Sequence, residues 1–127
     1  MQLPRAESGE TVLVVDDEPT IRMLIGDTLA DLGYQAIEAA DAASGLKVLE
    51  SDVKIDLLIT DVGLPGISGL QLARDAHARR LDLCLVLATG DSGVKSEAAR
   101  LGAIFIVKPY TPKSLRQGLE HAMKKRR

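Results

Sequence analysis

A single cysteine, little net charge and no long apolar run set the first limits on this chain, because each shortage removes a class of protein. Cys84 has no second cysteine to pair with, so no internal disulfide staples the fold, and its place in an apolar run reads as buried packing. A net charge of -2 gives no electrostatic case for nucleic acid as a partner. The longest apolar stretches, such as "LVLA" and "AIFIV", are strand-sized, and "MQLPRAESGE" lacks the apolar core of a signal peptide. The expectation is a cytoplasmic protein, or the cytoplasmic part of something larger, with no membrane contact by this domain. At 127 residues, 46% apolar and 27% charged, the chain fits one globular domain. No repeat, low-complexity tract or interdomain linker interrupts it, and no DNA-binding domain is expected after Met123.

What is present is an alternation of β-prone and helical segments. "TVLVV" (11–15) precedes a helix whose apolar residues Ile21, Leu24, Ile25, Thr28, Leu29 and Leu32 keep helical spacing and stop at Gly33. "YQAIEA" is a second strand, Asp41 caps a helix over 42–50, "DLLIT" is a third strand, and Ser68 caps a helix through Arg79. "CLVLA" and "AIFIV" supply the fourth and fifth strands, with a short helical stretch from Val94 to Leu101 between them that ends at Gly102. Thr111 and Pro112 open the last helix, with Leu115, Leu119, Ala122 and Met123 on one face. Four of the five strands are apolar without alternation, as strands covered on both faces are. The fold class is therefore α/β, a doubly wound five-stranded parallel sheet with helices on both faces. A closed barrel is not expected, since the usual one needs eight such units.

Ligands of open parallel sheets bind beyond the carboxyl ends of the strands. Here those ends carry Asp16, Asp17 and Glu18 after the first strand, Thr60 and Asp61 after the third, Thr89 after the fourth, and Lys108 after the fifth. Carboxylates this close repel by about 1 kcal/mol per pair at 4 Å in water, and about 4 kcal/mol at an effective dielectric near 20, so the cluster wants a cation. Hard oxygen ligands with no histidine or thiolate nearby point to Mg²⁺ rather than zinc. If a phosphoryl group completes the metal shell, Lys108 can neutralise one oxygen and Thr89 can donate to another, leaving Asp61 as the nucleophile.

On "VLVVDDEP", "ITDVGLPGISGL", "LATG" and "VKPY" the chain resembles the receiver domain of two-component response regulators, the CheY-like family, from about Thr11 to Met123. The resemblance implies a flavodoxin-like strand order 2-1-3-4-5. It implies that Asp16 and Asp17 hold Mg²⁺ with Asp61 and the Gly63 carbonyl, that Asp61 is the phosphoacceptor, and that Thr89 and Lys108 contact the phosphoryl group. Thr89 and Phe105 fall at the switch positions, although Phe105 also reads as a core residue. The Lys108-Pro109 bond is expected to be cis, and Tyr110 to be a packing residue. The implied phosphodonor is a histidine kinase or phosphotransfer protein. The downstream protein partner is not named by the sequence, and a phosphorylation-dependent homodimer is left open. Residues 1–10 then form a polar lead-in or linker, 11–124 the receiver domain and 125–127 a basic tail. "LPRA" at 3–6 is similar to the last strand of a histidine kinase ATP-binding domain, which favours a receiver excised from a hybrid kinase over a free-standing regulator.

Three departures from the family pattern stand out. Thr89 and Lys108 are closer in sequence than is usual, so the fourth helix should be short or irregular, which unsettles the usual output face of fourth helix, fifth strand and fifth helix. Gly63 offers no side chain over the site, and Asp91 adds a negative one; both positions tune phosphoryl lifetime. Gly90 keeps the small residue that access requires. His77 and His121 have no partner at metal-ligand spacing and read as surface residues, and "KKRR" at 124–127 suits a helix C-terminus. Two other functions would ask for a different set of residues. A phosphorylation-independent interaction module would not need the full set of strand-end residues. A Mg²⁺-dependent phosphohydrolase would need a second aspartate two residues after Asp61 as general acid, and a cap insertion.

Overall fold

A computed structural model describes residues 10–64, 66–80, 82–90, 93, 95–108 and 111–126, without the side chains of 123–126. The expectations for 1–9, Asp91, Val94, Pro109, Tyr110 and the side chains of Met123 and the basic tail fall outside the described residues. Five parallel strands run β1 (Thr11–Val15), β2 (Gln35–Ala39), β3 (Leu57–Asp61), β4 (Cys84–Thr89) and β5 (Ile104–Val107), ordered β2-β1-β3-β4-β5. Between and after them come α1 (Pro19–Asp31), α2 (Ala42–Glu50), α3 (Gly69–Arg79), α4 (Lys95–Arg100) and α5 (Pro112–Arg126).

The two faces of the sheet bury two different sets of side chains, which is why the central strands show no alternation. Leu13, Val15, Leu58, Leu85 and Leu87 meet Leu49 of α2, Leu72 and Ala76 of α3 and Ala98 of α4. On the other face Val12, Val14, Leu57, Ile59 and Val86 meet Ile25 and Leu29 of α1 and Leu115 and Leu119 of α5. Burying each such leucine or isoleucine stabilises the fold by about 1.5–3 kcal/mol. Strand β5 departs from the expected two-sided cover. Of its residues only Ile106 is buried, and Val107 is 59% exposed, because β5 is an edge strand flanked by a six-residue α4.

Helix ends follow the residues that announce them. The Asp41 carboxylate accepts from Ser44 N–H at 2.8 Å, and the Ser68 hydroxyl accepts from Gln71 N–H at 3.1 Å. Thr111 and Ser114 cap reciprocally: each hydroxyl accepts from the other's backbone N–H, at 3.1 and 2.8 Å. Gly33 (φ 88°) and Gly102 (φ 68°) take the left-handed conformation just past α1 and α4, where any other residue would be strained. Among the described residues no helix is long and apolar enough to cross a membrane.

Candidate functional site at the carboxyl edge of the sheet

Parallel register brings the strand ends level. Val15 pairs with Thr60, Asp61 with Ala88, and Thr89 with Val107, so Asp16, Asp61, Thr89 and Lys108 emerge side by side at one edge. Asp61 is the last residue of β3 rather than the first beyond it, and it is only 8% exposed. Burial of a carboxylate at that depth requires partners. Its Oδ2 lies 3.2 Å from Lys108 Nζ, and its Oδ1 accepts from Gly63 N–H at 3.2 Å.

Asp16 is buried more deeply still, at 1% exposure, and meets the same lysine, Oδ2 to Nζ at 3.6 Å. Its Oδ1 accepts from Glu18 N–H at 2.9 Å, and its own N–H donates to the Ala39 carbonyl at 3.2 Å. Burial pushes the Asp16 carboxyl above the usual carboxylate range; the Glu18 N–H and Lys108 oppose this, and Asp61 and Asp17 add to it. Asp17 is exposed, yet carboxylate oxygens of Asp16, Asp17 and Asp61 all lie within 4.8 Å of one another. One cation, Lys108, therefore faces two buried carboxylates with a third close by. This excess of negative charge and the all-oxygen donor set fit a hard divalent ion such as Mg²⁺.

Thr89 is buried at the end of β4, and its carbonyl accepts from Lys108 N–H at 2.9 Å, which ties the β4 and β5 ends together. Phe105 is half-buried and packs against the core on the face covered by α2, α3 and α4. A side chain at Gly63 would begin 3.9 Å from Asp61 Oδ1, so glycine leaves that carboxylate uncovered. A side chain at Gly90 would meet only the Lys108 carbonyl, at 4.0 Å. Of the two histidines, His121 is exposed as expected and His77 is half-buried on α3, apart from the acidic cluster.

Two residues that contact the backbone of Asp16 and Asp61 were not singled out by sequence reasoning. A Cβ at Gly69 would stand 1.8 Å from the Asp61 carbonyl oxygen and 2.9 Å from Val62 Cα, so α3 can start against the end of β3 only through a glycine. Gly69 N–H also donates to the Val62 carbonyl at 3.0 Å. Arg22, on α1, donates from Nη1 to the Asp16 carbonyl at 2.7 Å. The glycine's place in "GISGL" could have flagged it, whereas nothing in the helical period of α1 distinguishes Arg22 from an ordinary exposed arginine.

The profile of the response regulator receiver domain matches residues 12–120. The chain is 36% identical over 112 residues to the phosphate regulon transcriptional regulatory protein PhoB of Pseudomonas aeruginosa, which covers 84% of this chain and 48% of PhoB. It thus spans about half of that relative. It is 35% identical over 115 residues to the chemotaxis protein CheY of the same organism, covering 86% of this chain and 92% of CheY. Among solved structures, the response regulator TrrA of Thermotoga maritima, in complex with Mg(2+)-BeF, superposes with a TM-score of 0.79. That match has 32% identity over 89% of this chain and 98% of TrrA. With a 2-1-3-4-5 parallel sheet and an acidic cluster at its carboxyl edge, this chain belongs to the response regulator receiver domain family of two-component signalling systems.

Proposed function

We propose that this receiver takes a phosphoryl group onto Asp61 with the help of Mg²⁺ and thereby changes a partner-binding surface. Receiver domains take phosphoryl groups from histidine kinases and are signalling phosphoacceptors rather than classical enzymes. The observation that carries the reading is the convergence of Asp61 and Asp16 on Lys108, with Asp17 beside them. Asp16, Asp17 and Asp61 would hold the metal, together with the Gly63 carbonyl; when bound, Mg²⁺ supplies charge neutralisation to the phosphoryl oxygens.

The chain's own residues account for the rest of the chemistry. Gly63 N–H holds Asp61 Oδ1 at 3.2 Å, which leaves Oδ2 facing Lys108 Nζ, also at 3.2 Å. With a phosphohistidine as donor, an Asp61 oxygen forms the new O–P bond as the P–N bond breaks. The electron pair leaves with the imidazole, which takes up a proton. Lys108, already 3.2 Å from Asp61, would then pair with a phosphoryl oxygen, and the Thr89 hydroxyl would turn to donate to another. Their movement would reach Phe105 through β4 and β5, which are joined at Thr89 and Val107. Domain limits of 11–124 are supported by the profile match over 12–120 and by the core contacts of α5.

Titration with Mg²⁺ and beryllofluoride, a phosphoryl mimic, followed by amide shifts tests this reading. The expected result is saturable, Mg²⁺-dependent perturbation at Asp17, Asp61, Gly63, Thr89 and Lys108, spreading to Phe105. A phosphorylation-independent interaction module would give no such pattern with either Mg²⁺ alone or the mimic.

A further inference from the structure

Arg22 reaches the acidic strand end without being one of its carboxylates or its lysine. Its side chain leaves α1 in the second turn, is 19% exposed, and divides its fork between two acceptors. Nη1 donates to the Asp16 main-chain carbonyl at 2.7 Å, while Nε lies 3.5 Å from Glu38 Oε1 on β2. Asp16 has left the β1 ladder, so its polar groups are held one by one. Its N–H goes to β2 through Ala39, its Oδ1 to Glu18 N–H, and its carbonyl to Arg22.

That carbonyl belongs to the rigid peptide plane joining Asp16 to Asp17. Rotating the plane would swing the direction in which Asp17 projects, and Asp17 has no comparable anchor of its own among the contacts that fix Asp16. Resting on the phosphoacceptor reading, we propose that Arg22 is a positioning residue. It fixes the Asp16–Asp17 peptide so that both carboxylates face Asp61, and so sets the affinity of the cluster for Mg²⁺. The alternative is that Arg22 acts only as a nearby charge or only as a tie between α1 and β2. Both alternatives predict something different. A guanidinium held at the Asp16 carbonyl adds positive charge near the strand end and disfavours a further cation, so removing its charge alone would tighten Mg²⁺ binding. A mere α1–β2 tie would be broken as well by changing Glu38.

The test uses the whole chain, MgCl₂ as the ligand, isothermal titration for affinity and amide spectra of the metal-free protein, with circular dichroism as the check on folding. Arg22→Met should weaken Mg²⁺ binding by about tenfold or more, the scale on which outer contacts of metal ligands act. It should also shift the Asp17 and Glu18 amides before any metal is added. Arg22→Lys keeps the charge but cannot hold both acceptors, and should weaken binding by about threefold or more even if the methionine variant fails to fold. Glu38→Met removes the acceptor for Nε and so breaks the α1–β2 tie, yet should stay within about twofold of the parent. Unchanged or tighter binding in the arginine variants, or an equal loss in Glu38→Met, overturns the proposal alone. A parent protein that binds no Mg²⁺ overturns the phosphoacceptor reading and this proposal with it.

Discussion

Asp16 shows most plainly the cost that the site imposes on the fold. Its carboxylate is buried beside Asp61 and near Asp17, and Lys108 is shared rather than dedicated to it. Its folded pKa is raised, with burial the leading cause, so the folded chain holds the proton more tightly than the unfolded one does. The corresponding stability is fully present below the unfolded pKa, near 3.9, and is lost as pH rises through the raised folded value. Asp16→Asn removes the charge and keeps an oxygen for Glu18 N–H. In thermal melts at pH 7 without Mg²⁺ the variant should be more stable by about 1 kcal/mol, on the scale of one like-charge contact. The gain should shrink as pH falls toward 3.9. A variant less stable than its parent at pH 7 would mean that Lys108 already compensates Asp16 in full. Such residue-scale chemistry was legible in part: the strand-end carboxylates and the lysine could be read in order along the chain. That Lys108 splits between Asp16 and Asp61 could not, because which of several converging groups touch depends on register and depth.

At the scale of elements, glycine positions separate what the site needs from what α1 merely tolerates. Gly69 lies at the first turn of α3, where a methyl group would overlap the Asp61 carbonyl at 1.8 Å. That oxygen is backbone at the end of a central strand and cannot retreat. Gly69→Ala should cost about 2–3 kcal/mol in urea unfolding and displace the acidic cluster. Gly26 sits inside α1, and a Cβ there would meet only Glu38 Oε2, at an ordinary 3.6 Å. Gly26→Ala should therefore stabilise by about 0.5–1 kcal/mol, the helix propensity of alanine over glycine. A reversed order of the two variants would contradict the packing described for Asp61. The strands, the caps at Asp41, Ser68 and Thr111, and the glycine stops at Gly33 and Gly102 were all legible, since each is a local signal within a few residues. The contact between Gly69 and Asp61, and that between Arg22 and Asp16, were not. They join the start or flank of a helix to a strand end across a turn, and no periodicity marks them.

For the whole molecule, the sheet order puts β3 at the centre, so Asp61 projects from the best-anchored strand while Lys108 follows the edge strand β5. This asymmetry suits the proposed switch: the proposed phosphoacceptor is fixed, and the groups that would answer it, Lys108, Thr89 and Phe105, lie on the side with the thinner cover. The six-residue α4 and the exposed Val107 mean that the surface beside β5 differs from one built on a long fourth helix, as the short spacing between Thr89 and Lys108 foretold. Sequence alone reached the strand order only through family resemblance, because alternation of strand and helix fixes parallel pairing but not which strand lies next to which. The measurement that tests the central claim most directly is intact mass after incubation with acetyl phosphate, with and without Mg²⁺, for the parent chain and Asp61→Asn. A Mg²⁺-dependent gain of one phosphoryl group in the parent and none in the variant is the predicted result. No gain in the parent, or an equal gain in Asp61→Asn, would contradict it.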